Sequence, residues 1–253
     1  LDSKLDNHGS SQKPWPIATL TWLGGHELAV MVGVTLVIAG VWLVIVLAGG
    51  VVDGRTSEID MAILMALREG GDPNNPLGPP WVEEMMRDFT ALGGTGLLTL
   101  IVGAIALYYV IQGRNREMLV LITAVAGAYL LSYVLKGLFD RPRPEFIPPS
   151  EYLYTASFPS GHALLAASTY LTLAGILAQL LPRRRLKAYV LILALFVVLL
   201  VGFSRLYLGV HWPSDVLAGW LIGSVWAIAW WLAVRWLRRR GRLSTLSVKD
   251  VAS

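Results

Sequence analysis

The chain contains no cysteine, so it can form no disulfide, present no thiolate to a metal ion and use no thiol as a nucleophile. Charge is also scarce. Asp, Glu, Lys and Arg make up 15% of the 253 residues, whereas a soluble domain carries about 25%, which argues against an ordinary water-soluble surface. The net charge is +4 and the pI about 9.4. The cations lie in short clusters beside apolar runs and form no stripe interleaved with aromatics, so nucleic acid is not an expected partner. The first residues, Leu1 to Pro14, are polar, start without Met and hold no apolar core. They do not read as a signal peptide, and residues 1–26 are expected to be a flexible leader.

What is abundant is apolar sequence: 55% of the residues are hydrophobic and the mean hydropathy is +0.59. A helix crosses the hydrocarbon core with about 20 mostly apolar residues. Six stretches meet that length: Glu27–Val51, Gly93–Gln112, Met118–Leu138, Gly161–Leu181, Ala188–Ser204 and Ser214–Leu237. The fifth could be extended by Leu206, Tyr207 and Leu208. The expected fold is therefore all-α, a polytopic membrane protein with six transmembrane helices. Its membrane domain would cover 27–237 and a basic tail 238–253.

The positive residues give an orientation. Arg114 and Arg116, then Arg183, Arg184, Arg185 and Lys187, then Arg235, Arg238, Arg239, Arg240 and Arg242 all fall on one side of a six-span layout, together with the N-terminus. That side is expected to be cytoplasmic. The loops 52–92, 139–160 and 205–213 fall on the other side. The first of them is acidic and contains two short amphipathic patterns, Ile59–Leu67 and Trp81–Phe89, separated by Asp72-Pro73-Asn74-Asn75-Pro76. These read as interfacial helices at about 57–92, lying in the headgroup region or packed as a lid on the protein.

Three segments at the ends of apolar runs carry the chemistry. Lys136, Arg143 and Arg205 bring three cations to the non-cytoplasmic face. Any one alone could snorkel to the headgroups, but three converging suit a di-anion, with Arg as a planar fork and Lys as a point charge. Arg141 lies in the same loop, beside an Asp140 that could pair with it. Pro159-Ser160-Gly161-His162 opens the fourth span, where exposed backbone N–H groups, a small Gly161 and the Ser160 hydroxyl could receive an oxyanion; an ordinary helix cap would look the same. His211 is followed by Asp215 after Pro213. A carboxylate holding one ring nitrogen leaves the other as a nucleophile, and His162 is the remaining titratable group able to protonate a leaving oxygen. Fixed cations beside these histidines would repel a metal ion, so no metal and no other cofactor is expected.

Lys136-x6-Arg143-Pro144, Pro159-Ser160-Gly161-His162 and Ser204-Arg205-x5-His211-x3-Asp215 resemble the three-part signature of the type 2 phosphatidic acid phosphatase superfamily. The resemblance implies that His211 forms a phosphohistidine and is oriented by Asp215, and that His162 is general acid and then base. Lys136, Arg143, Ser160, Gly161 and Arg205 would bind the phosphoryl oxygens. It implies an integral-membrane, metal-independent phosphatase in a bacterial plasma membrane with an extracytoplasmic site. Its substrate would be a lipid of the phosphatidic acid, phosphatidylglycerophosphate, undecaprenyl pyrophosphate or lipid A 1-phosphate class. Two other readings remain: a phosphatase for a soluble sugar phosphate, and a non-enzymatic phosphate-binding membrane bundle.

Overall fold

The computed structural model describes residues 17–144 and 156–240, with side chains from residue 27 onward. The first part of the leader, residues 145–155 of the loop 139–160, and the tail from 241, with Arg242, lie outside the described residues. Eight α-helices follow in order: α1 (Ile17–Val52), α2 (Ser57–Met65), α3 (Pro80–Ala91), α4 (Thr95–Ile111), α5 (Asn115–Leu138), α6 (Gly161–Leu180), α7 (Arg184–Tyr207) and α8 (Pro213–Arg239). One 3-10 turn, Glu69–Gly71, lies between α2 and α3. No strand occurs among the described residues beyond a single bridge from Arg68 to Pro76.

The long helices sit on the expected apolar runs. α1 starts ten residues before the expected Glu27, so residues 17–26, expected in the leader, continue the helix. α7 runs on through Tyr207, as its apolar end allowed. Among the described residues, five helical segments are long and apolar enough to cross a membrane: Glu27–Val52, α5, α6, α7 and α8. α4 alone is shorter, but α3 and α4 meet the test together, bent by 44° at the Leu92-Gly93-Gly94 break, which would make six. The outer surface is apolar. Met31, Ile38 and Ile45, seven residues apart along α1, are 66%, 64% and 64% exposed, so one face of that helix is turned away from the protein toward what must be lipid. The molecule is thus an integral membrane protein.

α6 is the centre of the bundle, with α8, α7 and α5 packed around it. α1 lies outside against α8, and α4 against α5. Its first half, Ala163 to Thr169, is buried without interruption. Small residues make this possible. A Cβ at Gly223 of α8 would stand 2.4 Å from the Leu164 carbonyl oxygen and 2.7 Å from Ala167 Cβ; at Gly219 it would stand 2.7 Å from the Ser160 carbonyl oxygen. The two helices therefore approach backbone to backbone, as close packing in lipid favours. Indoles on α8 bind the neighbouring helices through their N–H groups: Trp226 to the Ala124 carbonyl (2.8 Å), Trp230 to Val120 (3.2 Å) and Trp220 to Val198 (3.0 Å).

The short helices of the first loop form where the amphipathic patterns lie, and both touch the bundle. α2 buries Asp60 and Leu64 and contacts α8; α3 buries Met86 and contacts α7. Arg68, in the turn after α2, donates to the carbonyls of Pro73 (2.8 Å) and Tyr207 (2.9 Å), and the Tyr207 hydroxyl donates to Leu77 (2.8 Å). Protein contacts, then, hold this loop over the ends of α7 and α8.

Replacing Gly223 with Ala forces a methyl group into the Leu164 carbonyl and is expected to cost about 1–3 kcal/mol of stability. The same change at Gly103, whose Cβ would meet nothing within 4 Å, serves as the control. Thermal unfolding in detergent should show a lowered midpoint for the first variant and none for the second; equal midpoints would contradict the close α6–α8 approach.

Candidate active site

The residues singled out in the sequence converge on one end of the bundle. Lys136 is in the last turn of α5, Gly161 and His162 in the first turn of α6, Arg205 in the last turn of α7, and Asp215 in the first turn of α8. Arg143 and His211 lie in the adjoining loops. A cavity of about 310 Å³ opens there, walled by Lys136, Arg143, Gly161, His162, Arg205 and His211. Ser160 and Asp215 are fully buried behind that wall. Among the described residues that line it there is no Asp or Glu, and three of them, Lys136, Arg143 and Arg205, are cations.

Local chemistry places each group. Phe158 is 1% exposed and meets Phe139 edge-on, ring centres 4.8 Å apart, which anchors the chain before α6. Ser160 then caps α6, its N–H donating to the Asp215 carbonyl at 3.0 Å, so the starts of α6 and α8 are joined directly. The Ser160 hydroxyl is buried with no hydrogen-bond partner among the described residues, the state of a donor available to a ligand oxygen. At the start of α8, Pro213 occupies the first turn and the Asp215 carboxylate reaches back to the Trp212 N–H (2.9 Å), an acid at the positive end of a helix. The same Oδ2 accepts the Ser157 hydroxyl and lies 3.4 Å from His211 Nδ1.

That contact sets the tautomer: with Nδ1–H turned to the carboxylate, Nε2 carries the lone pair. Nε2 lies 3.2 Å from Arg143 Nη1, which also donates to the Val210 carbonyl at 2.8 Å. Lys136 Nζ donates to the Ala156 carbonyl (3.0 Å), and Arg205 Nη1 to the Thr90 hydroxyl (3.0 Å), while its Nε is buried with no partner among the described residues. The bend between α3 and α4 closes another side. Gly93 has no room for a side chain, since a Cβ would stand 2.5 Å from Val201 and 3.0 Å from the His162 carbonyl oxygen. The Tyr170 hydroxyl ties α6 to this bend through the Leu92 carbonyl (2.8 Å).

One expectation needs correction. Arg141 does not turn to the adjacent Asp140. Its guanidinium bridges Asp215 (2.6 Å) and Asp60 of α2 (2.7 Å), because two buried carboxylates offer stronger partners than one exposed neighbour. Asp60, Thr90 and Ser157 were absent from the residues that sequence alone identified. Only Asp60 left a trace there, as an acid among Ile59, Met61, Ile63 and Leu64.

A model of the PAP2 superfamily matches residues 117–239. Phosphatidylglycerophosphatase B of Bacillus subtilis is 37% identical over 148 residues, which is 57% of this chain and 71% of that protein. Undecaprenyl-diphosphatase of Sulfolobus acidocaldarius is 35% identical over 124 residues, 47% of this chain and 56% of that protein. The crystal structure of a transmembrane PAP2 type phosphatidylglycerolphosphate phosphatase from Bacillus subtilis superposes with a TM-score of 0.72 at 29% identity, covering 80% of this chain and 98% of that one.

His211 is 1% exposed. Burial, which strips water from the imidazolium, pushes its pKa down to about 3; Asp215 opposes the shift and the Arg205 and Arg143 cations add to it. A base with a depressed pKa stays neutral until the pH falls through that lower value. Ring-nitrogen NMR of labelled histidine should therefore show His211 uncharged, with its proton on Nδ1, from about pH 8 to about pH 5. Titration near the unperturbed value of about 6.5 would contradict this.

Proposed function

The chain belongs to the PAP2 superfamily, and we propose that it is a membrane phosphatase that hydrolyses lipid phosphate esters through a phosphohistidine at His211. One observation carries the mechanism: His211 lines a cation-walled cavity with its Nε2 beside Arg143 and its Nδ1 toward a buried carboxylate at 3.4 Å. The phosphate enters as a di-anion and takes the place of Nε2 as partner of Arg143. Lys136, Arg143 and Arg205 bind its oxygens, with the Ser160 hydroxyl and the first N–H groups of α6 as further donors.

Nε2 attacks phosphorus in line with the ester oxygen. The new N–P bond forms as the P–O bond breaks, and His162 gives its proton to the departing oxygen. In the loose transition state, charge spread over three equatorial oxygens meets fixed cations. The imidazole becomes cationic as it is phosphorylated, and Asp215, still ionised, stabilises that charge. His162, now a base, takes a proton from water; the resulting hydroxide attacks phosphorus, the N–P bond breaks, and inorganic phosphate leaves with His211 restored.

The shape of the cavity favours a lipid. Tyr133 lines it and is 79% exposed on the bundle's outer face, so the cavity reaches the surface that faces the acyl chains. A phosphate at headgroup level can enter there while its tail stays in the bilayer. Phosphatidic acid, phosphatidylglycerophosphate, undecaprenyl pyrophosphate and lipid A 1-phosphate all satisfy this. In our reading α3 and α4 form one broken span, giving six, and α2 lies at the interface. The clustered Lys and Arg support our reading that both termini are cytoplasmic and the site extracytoplasmic, in a bacterial plasma membrane.

His211→Ala is expected to reduce release of phosphate at least about a thousandfold, and Asp215→Asn to lower kcat by about a hundredfold or more. The check is turnover of those four lipids in mixed micelles, beside glucose 6-phosphate and with excess chelator present. Full activity of His211→Ala would overturn the nucleophile; faster hydrolysis of glucose 6-phosphate would overturn the lipid assignment; and loss in chelator restored by Mg²⁺ or Zn²⁺ would overturn the metal-free reaction.

A further inference from the structure

Behind the histidine stands a second charged layer that the reaction as described does not use. Asp60 belongs to α2, in the first loop, yet its side chain is only 3% exposed. Its Oδ1 accepts the Ser214 N–H (2.8 Å), and its Oδ2 accepts the Ser214 hydroxyl (2.6 Å) and Arg141 Nη2 (2.7 Å). Arg141 turns its other nitrogen, Nη1, to Asp215 Oδ1 (2.6 Å) and to Ser214 Oγ (2.7 Å). The guanidinium also lies over the Trp212 ring, 5.4 Å from its centre, and the Trp212 indole N–H donates to the Pro142 carbonyl (2.9 Å).

We infer that Asp60 and Arg141 are positioning residues that hold the Asp215 carboxylate against His211 and preserve its negative charge there. This rests on the phosphohistidine reading above. The geometry is one of opposite oxygens. Arg141 takes Oδ1 of Asp215, which fixes the carboxylate plane and leaves Oδ2 for the imidazole, the Ser157 hydroxyl and the Trp212 N–H. A guanidinium with a single carboxylate partner could pivot about it; gripped by Asp60 on its other nitrogen, it cannot.

Arg141 alone beside Asp215 would make a neutral pair, with Lys136, Arg143 and Arg205 nearby, and the phosphorylated imidazolium would lose its counter-charge. With Asp60 present the trio keeps one net negative charge next to His211. The first loop thereby supplies a component of the active site without touching the substrate.

Because the effect is on the step that makes His211 cationic, kcat should respond and KM should not rise. Asp60→Asn keeps the shape and an acceptor for Ser214, and is expected to lower kcat about tenfold with KM unchanged or smaller. The deciding measurement is a double-mutant cycle with Asp215→Asn, using radiolabelled phosphatidic acid in mixed micelles and His211→Ala as the blank. If Asp60 acts through Asp215, adding Asp60→Asn to Asp215→Asn changes kcat by less than about twofold. The same tenfold loss in that background would mean that Asp60 only supports the fold, and wild-type turnover of Asp60→Asn would also overturn the inference. Should Asp60→Asn fail to fold, Arg141→Lys enters the same cycle, since one ammonium cannot bridge both carboxylates, and the same pattern is expected. Activity surviving in His211→Ala would instead overturn the reading of the reaction itself.

Discussion

Everything in this protein is arranged around a single contact, the one between His211 Nδ1 and the buried carboxylate of Asp215. Burial keeps water from the imidazole and so keeps it uncharged, and an imidazole without water needs a fixed partner to choose its tautomer. Asp215 meets that need and is itself buried, so it must be satisfied in turn. Ser157, the Trp212 N–H and Arg141 do so. A buried carboxylate with hydrogen bonds on both oxygens can stay ionised and immobile.

The bundle exists to bring those groups to one level. Lys136 and Arg205 end α5 and α7, while His162 and Asp215 begin α6 and α8. Antiparallel spans put the end of one helix beside the start of the next, so residues far apart in sequence meet at one face. The tight α6–α8 approach at Gly219 and Gly223 makes that meeting exact enough for Ser160 to bond the backbone of Asp215. Helix packing and the geometry of the cavity are thus set by the same small residues.

Much of this was legible in the amino-acid order because lipid imposes a simple rule: long apolar runs become helices of about the bilayer's thickness. The expected spans agree with α4 to α8 to within a few residues, and the short helices of the first loop appear where amphipathic patterns announced them. The start of α1 at Ile17 was missed because Gly24, Gly25 and Glu27 interrupt the apolar run, although helical geometry continues through them. The cavity wall was legible too, since His162, Arg205 and their companions occur at fixed spacings. What spacing cannot reveal is a contact between distant elements. Thr90 holds Arg205, and Asp60 reaches Asp215 through Arg141, only because α2 and α3 fold back over the ends of α7 and α8.

The account is tested most directly by capturing the covalent intermediate. Phosphohistidine survives alkali and is lost in acid, so the purified protein turning over a phosphate-labelled lipid can be quenched in alkaline detergent and digested. Label is predicted on the peptide that contains His211, and it should disappear after brief exposure to acid. Steady turnover with no labelled peptide, or label attached to His162, would contradict the claim that the Asp215-held imidazole takes the phosphoryl group.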